Sequence, residues 1–160
     1  MLIDAIRGWQ LSQLEKQVFI LKNALATVSD AAMTSYRDGG TGWTALEVLC
    51  HLRDFEELFL VRAQMTVEED NPALPFPDPD RLADERNYND DNPTMVLAHW
   101  VALRKDHLNY LDARAESDWE RVAAHPTRGA FTLYDQLFLT VWHDTNHLEQ
   151  ILRILTEKRS

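Results

Sequence analysis

From Leu2 to about Val28, the apolar residues Ile6, Leu11, Leu14, Val18, Leu21 and Leu25 recur mostly at steps of three or four. That period paints one stripe on an α-helix and predicts a first amphipathic helix. The run Asp38-Gly39-Gly40-Thr41-Gly42 interrupts it, because clustered glycine favours turns over helix. Thr44, with Glu47 three residues on, reads as a capping box in which hydroxyl and carboxylate each satisfy a backbone N–H that the helix leaves unpaired. A second helix is expected from there to about Glu69. Residues 70–92 then hold Pro72, Pro75, Pro77 and Pro79, which remove backbone donors, so no regular helix is expected. This stretch reads as a long crossover loop. Loops of that length are uncommon unless they cover something, which makes it either a candidate lid or a plain connection spanning the bundle.

Asn92 before Pro93 has the form of a helix cap with proline at the first helical position. Val96, Trp100, Leu103, His107 and Leu111 follow at helical spacing, to about Ala115. After a connection from Glu116 to Phe131, Thr132 and Asp135 offer another helix start, and Leu133, Leu137, Thr140, His147, Ile151 and Ile154 share its stripe. Four amphipathic helices, no convincing period-two run and no internal repeat predict one all-α domain over residues 1–160. The expected form is a four-helix bundle with the long loop between helices two and three.

Candidate chemistry gathers on two of these helices. His143 and His147, four residues apart, project from one face one turn apart, a chelating spacing. That face also carries Thr140, Ile151 and Ile154 and is expected to point inward; His51 shares its own face with Val48, Phe55 and Leu58. Three neutral imidazoles around a divalent ion, at about 2.0–2.1 Å, leave a position open for water or substrate, as catalytic sites do and structural sites usually do not. The plainer alternative is chance spacing, with core histidines held by hydrogen bonds. Asp144 and Asp54 are the candidate catalytic carboxylates, as acceptors for a ligand N–H or as proton acceptors for a bound water, unless they are simply solvated. His99, His107 and His125 lack a chelating partner spacing and are assigned surface or hydrogen-bonded roles. Cys50 lies about 100° round the helix from His51 and reads as a small core residue. Trp43, Trp142 and Tyr88 read as packing first and pocket walls second.

Composition narrows the partners. A chain of 160 residues, 45% apolar, fits a single ordinary domain. Its 26 acidic and 16 basic residues give a net charge of -10, which repels phosphate backbones and anionic lipid, so neither nucleic acid nor membrane is expected as a partner. The lone Cys50 cannot form an internal disulfide, and Asp4 and Arg7 occupy positions where an export signal needs an apolar run. A cytoplasmic location is the resulting expectation.

Four segments carry a family resemblance: G-W-T-A-L-E-V-L-C-H-L-R-D from Gly42, D-W-E-R from Asp118, H-P-T-R-G-A-F-T-L from His125, and the closing H-D-T-N-H-L-E-Q-I. Together the chain resembles the DinB/YfiT-like superfamily over nearly its whole length. The resemblance implies a four-helix bundle with an unusual crossover and a metal held by His51, His143 and His147. It does not imply DNA binding, despite the damage-inducible gene behind the name. Members of known activity include transferases and isomerases that use low-molecular-weight thiols such as bacillithiol or mycothiol. The leading expectation is therefore a metal-dependent thiol S-transferase acting on a small molecule. The alternatives are a metal-dependent hydrolase with Asp144 as base, and a non-catalytic metal-binding homodimer joined through an exposed helix face. Zinc or nickel is the expected ion, and cobalt, iron or manganese also suit three imidazoles.

Overall fold

The structure is a computed structural model that describes residues 2–157. Four long helices make the bundle: α1 (Leu2–Leu25), α3 (Ala45–Glu68), α5 (Pro93–Asp112) and α6 (Leu133–Glu157). Two short helices, α2 (Asp30–Ser35) and α4 (Pro79–Glu85), and a hairpin of β1 (Val122–His125) with β2 (Gly129–Thr132) complete it. No helix among the described residues is long and apolar enough to cross a membrane.

Each long helix begins where its sequence said it would. Thr44 accepts from the Glu47 N–H at 3.1 Å while the Glu47 carboxylate accepts from the Thr44 N–H at 2.6 Å, closing the capping box of α3. Asn92 caps α5 through the Met95 N–H, and Thr132 and Asp135 exchange equivalent bonds at the start of α6.

Cross-helix contacts fix the directions. Arg7 of α1 reaches Tyr134 and Gln17 reaches Thr145, so α1 and α6 run parallel. Gln136 of α6 bonds Thr66 near the end of α3 while His147 meets His51 near its beginning, so α3 and α6 are antiparallel. Val96 and Trp100 in the first half of α5 share an apolar cluster with Val48 and Leu49 near the start of α3, whereas Leu111 at its end shares one with Ala63, so α3 and α5 run the same way. Parallel neighbours in sequence require the chain to travel back along the bundle, which is the task of residues 70–92.

Three details of the sequence reading change. Helix one stops at Leu25 rather than Val28, and helix three at Asp112 rather than Ala115. The proline-rich crossover does contain a regular helix, α4, because Pro79 sits at its first turn, where the missing N–H costs nothing, behind the cap of Asp78 on the Arg81 N–H. The segment before helix four contains the antiparallel hairpin, pairing Val122 with Thr132 and His125 with Gly129. Four residues a side are too few for a visible period of two, and tertiary contact supplies what the pattern lacks. Ala124 donates to the Pro72 carbonyl and accepts from the Leu74 N–H, so the crossover loop becomes a third edge of the hairpin.

The core is divided. One apolar cluster around Leu49, Trp100 and Ile151 fills the end near the start of α3, and another around Leu14, Ala63, Leu111 and Leu137 fills the opposite end. Between them lies a buried ionic layer. Arg104, 0% exposed, bonds Glu56 from α3, Asp144 from α6, and the Leu14 carbonyl and Gln17 from α1. A guanidinium with partners on three other helices satisfies its donors in a place where an unpaired charge would be costly.

Candidate metal centre

His51, in the second turn of α3, and His143 and His147, in the middle of α6, meet across the antiparallel α3–α6 groove. One nitrogen from each lies within 4.8 Å of the other two, and no other cluster of three or more potential ligands occurs among the described residues. The Nε2 atoms of His51 and His143 face each other at 2.9 Å. Two nitrogens sharing one tetrahedral ion at about 2.0–2.1 Å would stand about 3.3 Å apart, so the His51 and His143 rings suit an ion with little adjustment.

The outward nitrogens of the α6 pair are fixed from behind. Nδ1 of His143 donates to Asp144 Oδ1 at 2.9 Å, which leaves the lone pair on Nε2, toward the centre. Nδ1 of His147 meets Gln150 Oε1 at 2.8 Å, and the Gln150 amide donates onward to Asp38 at 2.9 Å, so its oxygen is the atom that faces the imidazole. Asp38 is itself held by Arg153. The glycine-rich loop has its reason here: a Cβ on Gly42 would lie 2.7 Å from the Asp38 carbonyl, so only glycine lets the loop curl tightly enough to present Asp38 to Gln150.

Burial favours the neutral, metal-binding form of His51 and His147. His51 is pulled down to about 2, by desolvation first and then by the neighbouring His143 and His147. His147 is pulled down to about 4, by desolvation and then by His143, with Gln150 and Asp144 opposing. The walls are aromatic: Phe55 packs 4.0 Å from the His51 ring and lies nearly parallel to His143, Phe59 meets His143 edge-on at 5.1 Å, and Trp43 stands 5.2 Å from His51. The donor set, three imidazole nitrogens among mostly aromatic walls, fits a borderline ion such as zinc or nickel.

The carboxylates singled out from sequence sit elsewhere than at the mouth. Asp144 is 1% exposed and points behind His143, with one oxygen on that ring and the other on Arg104. It is an orienting acceptor and not a solvated group. Asp54 is also buried, but its partners are Arg53, Arg86 and Tyr88, so it fastens the end of the crossover loop to α3. Tyr88 is thereby an anchor and not a wall. Cys50 is fully buried, as the core reading held, and burial pushes its thiol up to about 12. His99 is exposed, whereas His107 is buried against Glu56 at 2.8 Å. His125 is buried in the hairpin. Trp142 is 56% exposed and lines a shallow cleft with Phe131, Phe138 and Leu139.

Gln150, Asp38, Glu56 and Arg104 were not singled out by sequence. Gln150 had a signal, its i+3 position from His147 on the same face. The other three come from different helices or loops, and nothing local announces them.

Fold and site together define the class: a helical bundle with a three-histidine centre across the groove of its two antiparallel helices. The model of the DinB superfamily matches residues 13–151, and the chain belongs to that superfamily. Among relatives, a protein of Oceanobacillus iheyensis is 28% identical over 155 residues, covering 96% of this chain and 87% of its own length. YfiT of Bacillus subtilis is 29% identical over 136 residues, covering 84% of this chain and 75% of its own. Both are named, provisionally, as metal-dependent hydrolases. The solved structure of YfiT, described as having an unusual four-helix bundle topology, matches with a TM-score of 0.85 at 27% identity over 95% of this chain and 86% of that one.

Proposed function

We propose that His51, His143 and His147 hold one divalent ion, zinc or nickel, and that the protein is a metal-dependent enzyme using a low-molecular-weight thiol as nucleophile. The observation that supports this best is the set of three imidazole nitrogens within 4.8 Å of one another, with two of the rings locked from behind. A divalent ion at these nitrogens supplies Lewis acidity, which lowers the pKa of a thiol or water presented to it.

The remaining work falls to the chain. Asp144 and Gln150 hold two ligand rings in the required tautomer. Phe55, Phe59 and Trp43 keep water from the reacting atoms and strengthen charge interactions there. Cys50 does not serve as the nucleophile, since its thiol stays protonated and buried. In the overall reaction the thiol gives up its proton, a new carbon–sulfur bond forms, and a leaving group departs with the electrons of the bond it breaks.

The test is a panel of small thiols against alkyl halide and epoxide electrophiles, with metal-loaded wild type and His147→Ala. Conjugation by wild type alone is expected; no turnover with any thiol would defeat the reading. A second reading, hydrolysis with activated water, draws its support from the names of the relatives. Metal-dependent cleavage of ester or amide panels without added thiol would select it.

A further inference from the structure

His51, Phe55, Phe59 and Arg62 follow at steps of four, four and three along one face of α3, about 16 Å of helix rise from first to last. Arg62 is only 2% exposed. Its Nε and Nη2 both donate to the Pro75 carbonyl, at 2.9 and 2.5 Å, and Nη1 has no acceptor among the described residues. No carboxylate there pairs with it, in a chain with 26 acidic residues. Arg104, the other buried guanidinium, has two. A buried cation without a counter-charge is unfavourable. Fastening Pro75 does not require one, because a neutral donor would bond that carbonyl as well.

Its neighbours add to the imbalance. His125 is 3% exposed; its Nδ1 accepts from the Thr127 N–H at 3.3 Å, so Nε2 carries the proton, and that donor is buried with no acceptor. The guanidinium of Arg62 lies over the rings of both Phe59 and Phe76, at 5.8 and 5.9 Å, and Phe76 stands 5.2 Å from His125. Phe59 in turn meets His143 at 5.1 Å, so one wall runs unbroken from the candidate metal centre to these donors. Arg128, in the hairpin turn three residues after His125, is exposed and opens onto the adjoining cleft of about 250 Å³ lined by Phe131, Leu139 and Trp142. One carboxylate, Asp135, shares that cleft, and it is bound to Thr132 at the start of α6. Burial first, and the Arg128 charge after it, pull Arg62 down to about 10, and burial followed by Arg62 and Arg128 lowers His125. A bound anion would reverse the contributions of the charges.

We infer that Arg62, Arg128 and His125 form a carboxylate-binding subsite beside the histidine centre. The substrate class is then a molecule with a carboxylate at one end of an apolar or aromatic body that lies along Phe55 and Phe59. The planar fork of a guanidinium matches a carboxylate, and bonds between charged partners are the stronger kind. The inference rests on the proposed function only for where the reacting end sits; the subsite itself does not need the metal.

The experiment titrates 3-phenylpropionate, and the neutral 3-phenylpropanamide as control, into the metal-free full chain and follows binding by calorimetry. The acid should bind roughly tenfold or more tighter than the amide. Arg128→Ala, which removes an exposed side chain, should reduce that preference, and Arg62→Met should abolish it. Where Arg62→Met fails to fold, Arg62→Lys keeps the charge, loses the fork and should show a weakened preference. Equal binding of acid and amide by wild type would overturn the subsite, as would a preference that survives unchanged in Arg128→Ala and in the folded Arg62 variant. Metal content, measured separately on the same preparations, tells the two readings apart. A protein that takes no metal yet prefers the acid sinks the metal reading alone, and one that loads metal yet shows no preference sinks the subsite alone.

Discussion

Replacing Arg104 with methionine probes the ionic layer that divides the core. The side chain is 0% exposed and bonds Glu56, Asp144, Gln17 and the Leu14 carbonyl, so removing it leaves two carboxylates buried without their cation. Methionine fills much of the volume, which confines the loss to electrostatics and hydrogen bonding. Breaking a buried pair from one side typically costs about 3–5 kcal/mol. For a chain of this size that corresponds to a melting temperature lower by roughly 6–20 °C. Equilibrium urea unfolding of the metal-free protein at pH 7, followed by circular dichroism, measures it. Adding Glu56→Gln to Arg104→Met removes one of the two stranded charges and should return part of the loss. A destabilisation below about 1 kcal/mol, or a double variant no better than the single, would refute the idea that this layer is held by charge pairing rather than by packing.

Other consequences follow from the same contacts. Burial alone would raise the Glu56 carboxyl, but the Arg104 charge and the hydrogen bonds of Arg104 and His107 outweigh it and hold it at about 2, below an ordinary value of 4.5. A depressed folded pKa favours the fold fully above about pH 4.5 and loses that contribution as pH falls toward 2, so the acid dependence of stability in this window should flatten in Glu56→Gln. Asp144→Asn removes the charged acceptor behind His143 and should lower metal affinity by roughly 10–100-fold, measured by competition with a chromophoric chelator, while the bundle still folds. Gly42→Ala drives a methyl against the Asp38 carbonyl and should cost about 1–3 kcal/mol in thermal unfolding. It should also weaken metal binding, because Asp38 holds Gln150 and Gln150 holds His147.

The sequence by itself determined the four long helices, because apolar period and caps are local: Thr44 with Glu47, Asn92 before Pro93, and Thr132 with Asp135 each act within one turn. It also determined the three histidines as candidates, through the four-residue spacing of His143 and His147 and the inward face of His51. It misjudged α4 and the hairpin, which at seven residues and four residues a strand are too short for a pattern; α4 is held by packing Leu82 and Ala83 on the core, and the hairpin by contacts between the crossover loop and β1. Only the tertiary structure decided what Asp144 and Asp54 do, since two aspartates on amphipathic helices look alike until their partners are known. One turns inward to Arg104 and His143, and the other ties down Arg86 and Tyr88. The roles of Glu56, Arg104, Arg62 and His125 lie wholly in that second category. A charge acquires its meaning from what stands within a few ångströms of it, and partners such as Pro75 for Arg62 and Leu14 for Arg104 lie thirteen and ninety residues away along the chain.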